Sequence, residues 1–516
     1  MAFGNRSILT KIVCTLGPAS RDPQLIATLI GEGMRIARVN FSHGTHDDFK
    51  ATLDAAREGG RLAGTPLGVF GDLSGPKIRV TQVENNHIDL KVGDHVEIKH
   101  APDLVGSRDA SGVVTLPCTY EPIAREVEPG HRVLINDGAI RMLCTDRVLD
   151  NSDGLGLGDR LICNVVVASP VSNKKGINLP DSDLSTPSLT EWDEACAEWA
   201  VEHGVDFLAL SFVRRADDVR QLRTLLQDIV KRRPELRANA RVPIIAKIEM
   251  PQAIEDLENI CEVSDAIMVA RGDLGVEMDL AEVPVIQKRI INCAHDHGKP
   301  VIVATQMLES MITNASPTRA EVSDAANAVL DGADALMLSG ETAVGQFPFE
   351  AVNILARTAE QTEKHLRQTR ADRPPRPPKL ARESRYRTAA VAHGVSIVAY
   401  DLHARYVVMW SEMGGTARHL SQMRGLTPII AVSSNEKALR QMNLNFGVTP
   451  IHMDRPPDAI TFIETIDRFL QAGHLADAGD AIVFCQGDPL GTPGVTNNIR
   501  VHYVGDVCRV TWHVKD

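Results

Sequence analysis

The sequence predicts an α/β fold: a TIM (β/α)8 barrel with an inserted β-rich lid domain and a C-terminal α/β domain. Short apolar runs alternate with longer helical patterns, which is typical of parallel β/α units. Runs that are apolar throughout indicate strands covered on both faces, and eight of them close a barrel. A doubly wound sheet, the alternative, would usually have fewer strands. The eight runs lie at residues 11–16, 35–40, 67–73, 207–213, 243–249, 266–270, 300–306 and 335–340.

One gap between the runs is too long for a single helix. After residue 73 the pattern changes to short alternating strands, such as 88–92 and 131–135, separated by turns such as Asn136-Asp-Gly138. We therefore expect a β-rich lid at 77–175, inserted into a discontinuous barrel at 1–76 and 176–370. Such an insertion leaves the barrel at the carboxyl end of a strand, where barrel active sites are built.

A second change of pattern follows the barrel. Residues 371–380 are rich in proline and charge, which is typical of a stiff linker. Beyond them, apolar runs again alternate with helical patterns, so we expect a third, α/β domain at 380–516. Its runs lie at 406–410, 428–432, 481–485 and about 509–514.

Composition and sequence patterns indicate the cellular compartment and argue against some classes of partner. The 516 residues include 55 basic and 67 acidic side chains, a net charge of −12, which argues against nucleic acid or a membrane surface as the main partner. No run approaches the ~18 apolar residues of a membrane span. The N-terminus lacks the apolar core of a secretory signal. Nine scattered cysteines favour reduced thiols in the cytoplasm over disulfides or zinc.

The ends of the barrel runs carry the candidate chemistry. Lys247 and Glu249 stand two residues apart, so their side chains point to the same face of a strand. Glu249 and Asp273, which follows the next run, together suit Mg²⁺, and the lysine suits an anionic substrate such as a phosphate. A buried Lys–Glu ion pair with a structural role is the alternative. Polar residues also end the second, third, seventh and eighth runs, and together with Lys247, Glu249 and Asp273 they make five groups on one rim, which predict an active site.

Long motifs in chain order resemble those of the pyruvate kinase family over nearly the whole chain. The matching segments are Cys14-Thr-Leu-Gly-Pro-Ala-Ser20, Arg38-Val-Asn-Phe-Ser-His-Gly44, Gly75-Pro-Lys-Ile-Arg79, Asn173-Lys-Lys-Gly-Ile-Asn-Leu-Pro180, Ser211-Phe-Val-Arg214, Lys247-Ile-Glu249, Met268-Val-Ala-Arg-Gly-Asp-Leu-Gly275, Ala304-Thr-Gln-Met-Leu-Glu-Ser310, Leu338-Ser-Gly-Glu-Thr-Ala343 and Gly491-Thr-Pro-Gly-Val-Thr-Asn497. The resemblance implies phosphoryl transfer from phosphoenolpyruvate to ADP, giving pyruvate and ATP, the last step of glycolysis. It also implies a cytoplasmic homotetramer.

The resemblance further implies roles around the reacting groups. Glu249 and Asp273 would hold Mg²⁺, for which Mn²⁺ can substitute. Lys247 would neutralise the phosphoryl group in transfer, and Thr305 would lie beside the enolate carbon. The backbone of Ala270, Arg271 and Gly272, next to Asp273, would cradle the substrate carboxylate.

Other residues are assigned to the phosphate and nucleotide side by the same resemblance. Arg38 would contact the phosphate or the nucleotide side, and Arg79 would help to clamp the phosphates. Asn40, His43 and Lys174 would face the nucleotide, although His43 can equally serve only to orient its loop.

The monovalent-cation region departs from the usual family pattern. Asn40, Ser42 and Asp72 match the family's K⁺ ligands, but Leu73 stands at the threonine position and Lys77 at the glutamate position. In the family this combination marks forms that do not need K⁺, since a fixed ammonium supplies the charge. We therefore predict activity without K⁺. The alternative is that Lys77 is a solvated surface residue.

Two further departures concern the lid and the third domain. Asn136 stands where the family usually has aspartate, and Asp181 where it has glycine, at the lid hinge. The loop at 410–418 is one that the family uses for phosphorylated allosteric effectors. Here Ser411, Thr416 and Arg418 remain as candidate ligands, although Glu412 would repel a phosphate. A plain strand-to-helix turn is the alternative.

Two rival functions follow from the same residues. A Mg²⁺-dependent lyase on this barrel would explain the carboxylates and arginines, but it would not require Lys247 or a nucleotide-facing lid. A non-catalytic phosphometabolite sensor would be expected to have lost Lys247, Glu249, Asp273 or Thr305, and all four are present.

Overall fold

The first part of the chain forms β/α units in the computed structural model, which describes residues 8–149, 158–369, 374–375, 377–379, 386–488, 490–491 and 494–506. Neighbouring strands are parallel. A capping box between Thr45 and Asp48 starts the second helix directly after the loop that carries Ser42 and His43. The elements are β1 (Lys11–Thr15), α1 (Pro23–Glu32), β2 (Met34–Asn40), α2 (His46–Ala63) and β3 (Gly68–Asp72).

After β3 the chain forms an open sheet of eight strands with its own apolar core. The elements are β4 (Gln82–Val83), β5 (His95–His100), β6 (Val105–Arg108), β7 (Val114–Cys118), α3 (Ile123–Glu126), β8 (Arg132–Ile135), β9 (Ile140–Val148), β10 (Arg160–Val167) and β11 (Ile177–Asn178). Their order across the sheet is β11-β8-β9-β10-β5-β7-β6-β4.

The predicted strand at 88–92 is wrong, whereas the run at 131–135 corresponds to β8. Only Ile88 makes an isolated bridge, to Val171. Ile88 and Leu90 are buried in the lid core while the residues between and after them are exposed. The alternation of apolar and polar residues at 88–92 therefore reflects a loop with one buried face, and not a strand that is hydrogen-bonded to a neighbour along its length.

The chain then returns to the barrel and closes it. The elements are α4 (Glu191–Glu202), β12 (Phe207–Leu210), α5 (Ala216–Arg232), β13 (Ile244–Ile248), α6 (Pro251–Glu255), α7 (Leu257–Val263), β14 (Ala266–Ala270), α8 (Arg271–Glu277), α9 (Val283–Asp296), β15 (Val301–Ala304), α10 (Arg319–Asp331), β16 (Ala335–Leu338), α11 (Gly340–Ala343) and α12 (Pro348–Thr369). Eight parallel strands follow the order β1-β16-β15-β14-β13-β12-β3-β2. The predicted barrel, with all eight runs, is confirmed. Val13, Ile36, Phe70, Ile245 and Met268 belong to the cluster that fills its interior.

The C-terminal part of the chain forms an α/β unit with a five-stranded sheet in the order β19-β18-β17-β20-β21. Its elements are α13 (Arg387–Asp401), β17 (Tyr406–Trp410), α14 (Gly415–Ser421), β18 (Ile429–Ser433), α15 (Glu436–Met442), β19 (Val448–His452), α16 (Ala459–Ala472), β20 (Ala481–Gln486) and β21 (Asn498–Tyr503). Three predicted strands are found as β17, β18 and β20.

Two strands of this sheet were not predicted. Both β19 and β21 lie at the sheet edges, and β21 is antiparallel to β20, so neither is apolar throughout. The run predicted at 509–514 and most of the linker at 371–380 lie outside the described residues. The domain boundaries remain predictions. Among the described residues, no helix combines the length and apolarity needed to span a bilayer.

Candidate active site

The charged residues of β3 and β13 meet in one buried cluster. Lys247 Nζ donates a 2.7 Å hydrogen bond to Ser211 Oγ and lies 3.5 Å from Asp72 Oδ1 and 3.4 Å from Glu249 Oε2. Burial by itself would lower the pKa of Lys247, but the carboxylates of Asp72, Glu249 and Asp273 outweigh burial and raise that pKa. The ammonium therefore stays protonated although Lys247 is almost completely buried, with only 9% of its surface exposed.

Arg38 on β2 completes this cluster. Its Nε and Nη2 atoms both lie 2.7 Å from Asp72 Oδ2, and Nη1 donates to Thr15 Oγ1 at 3.1 Å. Burial would raise the pKa of Asp72, but the charges of Lys247 and Arg38 hold that pKa below its usual range. Asp72 therefore positions two cations side by side at the carboxyl ends of the strands, which is an arrangement suited to a phosphate.

Glu249 and Asp273 offer oxygen ligands beside these cations. Glu249 Oε1 accepts a 2.6 Å hydrogen bond from the Phe212 N–H, whereas Oε2 is buried and accepts none from any described residue. Burial, opposed by the charge of Lys247 and assisted by the charge of Asp273, raises the pKa of Glu249 to about 7. An unsatisfied buried carboxylate oxygen near a second carboxylate fits a hard divalent cation, which would offset this penalty.

Thr305 lies in a strained turn beside the start of α8. Its φ of +67° is unfavourable for a β-branched residue, and Gln306 follows at +53°. Thr305 Oγ1 accepts from the Gly272 N–H at 2.7 Å and donates to the Ala304 carbonyl at 2.6 Å. A Cβ at position 272 would lie 3.2 Å from Thr305 Oγ1, which explains the glycine there. The turn holds a hydroxyl at the mouth of the site.

The side chain of Arg271 holds this turn in place. Its Nη2 donates to the carbonyls of Thr305 (2.9 Å) and Gln306 (3.2 Å), and its Nη1 lies 2.5 Å from Asp324 Oδ2. The guanidinium is buried and both terminal nitrogens are engaged within the protein, whereas its Nε has no hydrogen-bond partner among the described residues. The Gly272 N–H already has an acceptor.

The residues of the predicted monovalent-cation region are only partly brought together. Asn40 pairs with Asp72 in the β2–β3 register, and Asn40 Oδ1 accepts from the Ser42 N–H at 3.1 Å. Leu73 is fully buried. Lys77 is exposed and runs beside Gly176, where its Cε would lie 2.8 Å from an added Cβ. Among the described residues, no hydrogen bond or ion pair joins Lys77 to this group.

The predicted nucleotide-side residues fall into two places. Arg79 and Lys174 meet where the lid joins the barrel: Arg79 Nη1 donates to the Lys174 carbonyl at 3.0 Å, and Lys174 adopts a φ of +62°. His43 is exposed in the loop between β2 and α2. The structure thus sets Arg79 with the lid strands and His43 with the barrel.

The effector-loop residues do not converge on one point. Thr416 Oγ1 is hydrogen-bonded to Thr496 Oγ1 at 2.9 Å, and Ser411 Oγ accepts from the Ala417 N–H at 3.4 Å. Burial lowers the pKa of Arg418, and its charge interacts with Asp265 of the barrel. Among the described residues, the buried Nε of Arg418 has no hydrogen-bond partner.

Two functional residues were not assigned a role from the sequence. Ser211 Oγ accepts from Lys247 and lies 2.6 Å from the Leu73 carbonyl, so it orients the lysine. Glu277 is buried, its Oε1 accepts from Asn178 Nδ2 at 2.7 Å, and burial raises its pKa to about 7. Glu277 ties α8 to the lid strand β11. Its position one helical turn after Asp273 was the available signal.

Comparison with known proteins agrees with this geometry. The family model "Pyruvate kinase, barrel domain" matches residues 8–352, and "Pyruvate kinase, alpha/beta domain" matches residues 389–502. The chain belongs to the pyruvate kinase family. The predictions of a pyruvate kinase fold, function and enzyme class are confirmed, and membership of the family implies a dependence on divalent metal.

Pyruvate kinases from several organisms match the chain along almost its full length. The protein of Corynebacterium glutamicum is 39% identical over 501 residues, 97% of this chain and 98% of that protein. The protein of Mycobacterium tuberculosis is 39% identical, covering 96% of this chain and 98% of its own. The crystal structure of a pyruvate kinase from Cryptosporidium parvum superposes with a TM-score of 0.84 at 32% identity, covering 96% of both chains.

Proposed function

We propose that the chain transfers the phosphoryl group of phosphoenolpyruvate to ADP, giving pyruvate and ATP, at the last step of glycolysis. The buried cluster of Arg38, Asp72, Lys247 and Glu249 carries this proposal. It places two basic side chains and a buried carboxylate oxygen without a hydrogen-bond donor at one end of the barrel. Phosphoryl transfer needs such positioning and charge neutralisation more than it needs covalent chemistry.

The reaction breaks the bond between phosphorus and the enolate oxygen and forms a bond to an oxygen of the ADP β-phosphate. Lys247 neutralises the charge on the phosphoryl oxygens during transfer, and Arg38 holds them from the β2 side. Mg²⁺, or Mn²⁺ in its place, would be held by Glu249 and Asp273 and would supply further positive charge to the substrate oxygens. The enolate then takes a proton from water at its carbon, beside Thr305.

The remaining predicted residues fit the substrate and nucleotide sides. The backbone of Ala270, Arg271 and Gly272 at the start of α8 faces the substrate carboxylate. Asn40, His43, Arg79 and Lys174 serve the nucleotide from the barrel and the lid. A lid that excludes water would strengthen these charges and prevent hydrolysis.

The first experiment is an assay of pyruvate formation from phosphoenolpyruvate and ADP with Mg²⁺, with and without K⁺ in Na⁺-free buffer. We expect turnover that requires ADP and does not depend on K⁺, since Lys77 and Leu73 replace the usual glutamate and threonine. Turnover without ADP would favour a lyase, whereas turnover only with K⁺ would refute the role of Lys77 and keep the reaction.

A matched substitution tests the role of Lys77 directly. Lys77→Glu combined with Leu73→Thr is expected to make activity depend on K⁺, because it restores the family's usual pair. Lys91→Glu, an exposed lid position, serves as the charge control. K⁺ independence in both variants would show that Lys77 is only a surface residue, as its exposed place beside Gly176 also allows.

Assembly and regulation complete the proposal. Light scattering is expected to give about four times the 56.2 kDa of one chain, as for a homotetramer. A phosphorylated effector would bind at the loop of Ser411 and Thr416, with Arg418 supplying a positive charge. Titration calorimetry with sugar phosphates and nucleoside monophosphates tests this, and the absence of heat would contradict an effector site.

A further inference from the structure

Two cysteines and a histidine meet on the outside of the barrel, away from the active site. Cys261 lies on α7, Cys293 lies on α9, and His297 follows the end of α9. One ligand atom from each lies within 4.8 Å of the other two. Cys293 and His297 are one helical turn apart and so share a face, but Cys261 is brought to them only by the packing of α7 against α9.

The spacing of the sulfurs matches that of two metal ligands. The Cys293 and Cys261 Sγ atoms are 3.7 Å apart. Two thiolates at about 2.3 Å from a tetrahedral Zn²⁺ lie about 3.8 Å from each other. The Cys293 Sγ to His297 Nδ1 distance is 3.9 Å. The imidazole ring therefore lies beside the two sulfurs, and Nε2 is the ring nitrogen left for an ion because Nδ1 is held by a backbone carbonyl.

The surroundings of His297 favour a ligand role. Its Nδ1 lies 2.9 Å from the Cys293 carbonyl oxygen, and its Nε2 lies 3.4 Å from Glu258 Oε2. A ring N–H held by a backbone carbonyl is the usual outer contact of a metal-binding histidine. Glu258 is 80% exposed at the rim, so its carboxylate can supply a fourth ligand and lead an ion in from solvent.

A second pair of adjacent thiols serves as a comparison for Cys261 and Cys293. Cys144 and Cys163 stand opposite each other on β9 and β10. Among the described residues, no histidine or carboxylate completes a ligand group with that pair. Cys261 and Cys293 differ from that pair because a histidine ligand atom lies within 4.8 Å of both sulfurs and a carboxylate lies beside that histidine.

We propose that Cys261, Cys293 and His297, with Glu258, form a binding site for a thiolate-seeking divalent cation of the Zn²⁺ class. On binding, each thiol loses its proton to solvent and each sulfur donates a lone pair to the ion, with no change of oxidation state. The ion joins α7, which follows the strand of Lys247, to α9, which follows the helix of Asp273. The site therefore links two outer helices of the barrel that pack against each other.

The test is titration of the reduced full-length protein with Co²⁺, a spectroscopic stand-in for Zn²⁺, in excess Mg²⁺ that keeps the catalytic carboxylates occupied. We expect one ion per chain, thiolate-to-metal charge transfer, visible bands of tetrahedral Co²⁺, and displacement by Zn²⁺ with release of protons. Cys261→Ala and Cys293→Ala should lose the signal.

Two further variants keep the outcome decisive if a core cysteine variant fails to fold. His297→Gln changes a side chain near the surface and should lose the tetrahedral bands, whereas Cys144→Ala, the matched thiol control, should keep them. Binding that persists in His297→Gln, that disappears in Cys144→Ala, or that is absent from the unaltered protein would overturn the proposal. Formation of a Cys261–Cys293 disulfide in place of metal binding would also overturn it.

Discussion

At the scale of single residues, the site concentrates charge where charge is costly. Lys247, Asp72 and Glu249 are each less than a tenth exposed, and burying charges costs several kcal/mol for each ion before pairing offsets the cost. The residual imbalance is visible in Glu249, whose pKa rises to about 7. An apolar core would often be more stable, so the cluster supports the proposed function, in which a phosphate and a divalent cation would complete its charge balance.

Replacing Lys247 tests this use. Lys247→Met is expected to lower kcat by a factor on the order of 10²–10³, the usual effect of losing one preorganised positive or donor group in a water-poor site. Lys231→Met, an exposed lysine paired with Asp228 on α5, is the control and should leave kcat unchanged. A Lys247→Met enzyme that is folded by circular dichroism and retains full kcat would refute the assignment.

Two substitutions distinguish the role of the Thr305 hydroxyl from that of its branched side-chain shape. Thr305→Ser keeps the oxygen that accepts from the Gly272 N–H and is expected to retain kcat within a few-fold. Thr305→Val keeps the branched shape but removes the oxygen, so kcat should fall well below that of Thr305→Ser. The two variants compared under saturating substrate give the measurement, and equal kcat values would exclude a role for the hydroxyl.

At the scale of elements, the hinge between the lid and the barrel is unusually well tied. Arg132 at the start of β8 donates to both carboxylate oxygens of Asp181, at 2.9 and 2.7 Å. Asp181 Oδ2 also accepts from the Arg132 N–H at 2.9 Å. Asp181 stands where the family usually has glycine, so this chain exchanges freedom at the hinge for a bidentate ion pair.

Removing this pair is expected to loosen the lid. Asp181→Gly deletes a partly exposed ion pair worth at most about 1 kcal/mol and adds backbone freedom. We expect faster amide hydrogen exchange in β8 and β11, a higher KM for ADP, and little change in global stability. Asp183→Gly, two residues further on, is the control. Unchanged exchange in β8 would mean that the hinge is held by other contacts.

At the scale of the whole molecule, buried polar contacts join the barrel to the C-terminal unit. Lys11 Nζ donates to the Val448 carbonyl at 2.6 Å, and Arg440 Nε donates to Asp206 Oδ1 at 2.9 Å. Burial lowers the pKa of Lys11 to about 7; the charge of Arg35 adds to this, and Glu363 opposes it. Lys11, at the start of β1, therefore joins the barrel to the five-stranded C-terminal sheet through a side chain that can gain or lose a proton.

This coupling predicts a pH dependence of stability. In the unfolded chain Lys11 has its ordinary pKa of 10.5 and stays protonated up to about that pH. In the folded chain its pKa is about 7, so Lys11 loses its proton near that pH. Between these values the unfolded state binds more protons, so this group makes folding more favourable as pH rises, by at most about 1.4 kcal/mol per pH unit. Below about pH 7 both states are protonated and the contribution is constant.

Lys11→Met measures this contribution. The free energy of unfolding in urea, compared between the unaltered chain and Lys11→Met at about pH 7 and about pH 9, should show a difference that grows in favour of the unaltered chain at the higher pH. Lys50→Met, an exposed lysine paired with Asp54, is the control. A difference that is the same at both pH values would contradict the lowered pKa.

The sequence by itself determined the barrel and the place of the site. Parallel strands covered on both faces must be apolar throughout, so each of the eight runs is visible without a structure. Because active sites of such barrels are built at strand ends, the residues following those runs, including Lys247 and Glu249, could be grouped in advance. The same reasoning could not find β19 and β21, because strands at a sheet edge do not need continuous apolar sequence.

Only the tertiary structure decided which side chains meet. Ser211 accepts a hydrogen bond from Lys247 across 36 positions, and Arg440 of the C-terminal unit donates to Asp206 of the barrel. Cys261 and Cys293 are separated by 32 positions and become neighbours only through helix packing. Sequence patterns indicate which residues of one helix or strand are buried and how often buried residues recur along it. These contacts depend instead on how separate helices and strands pack against each other.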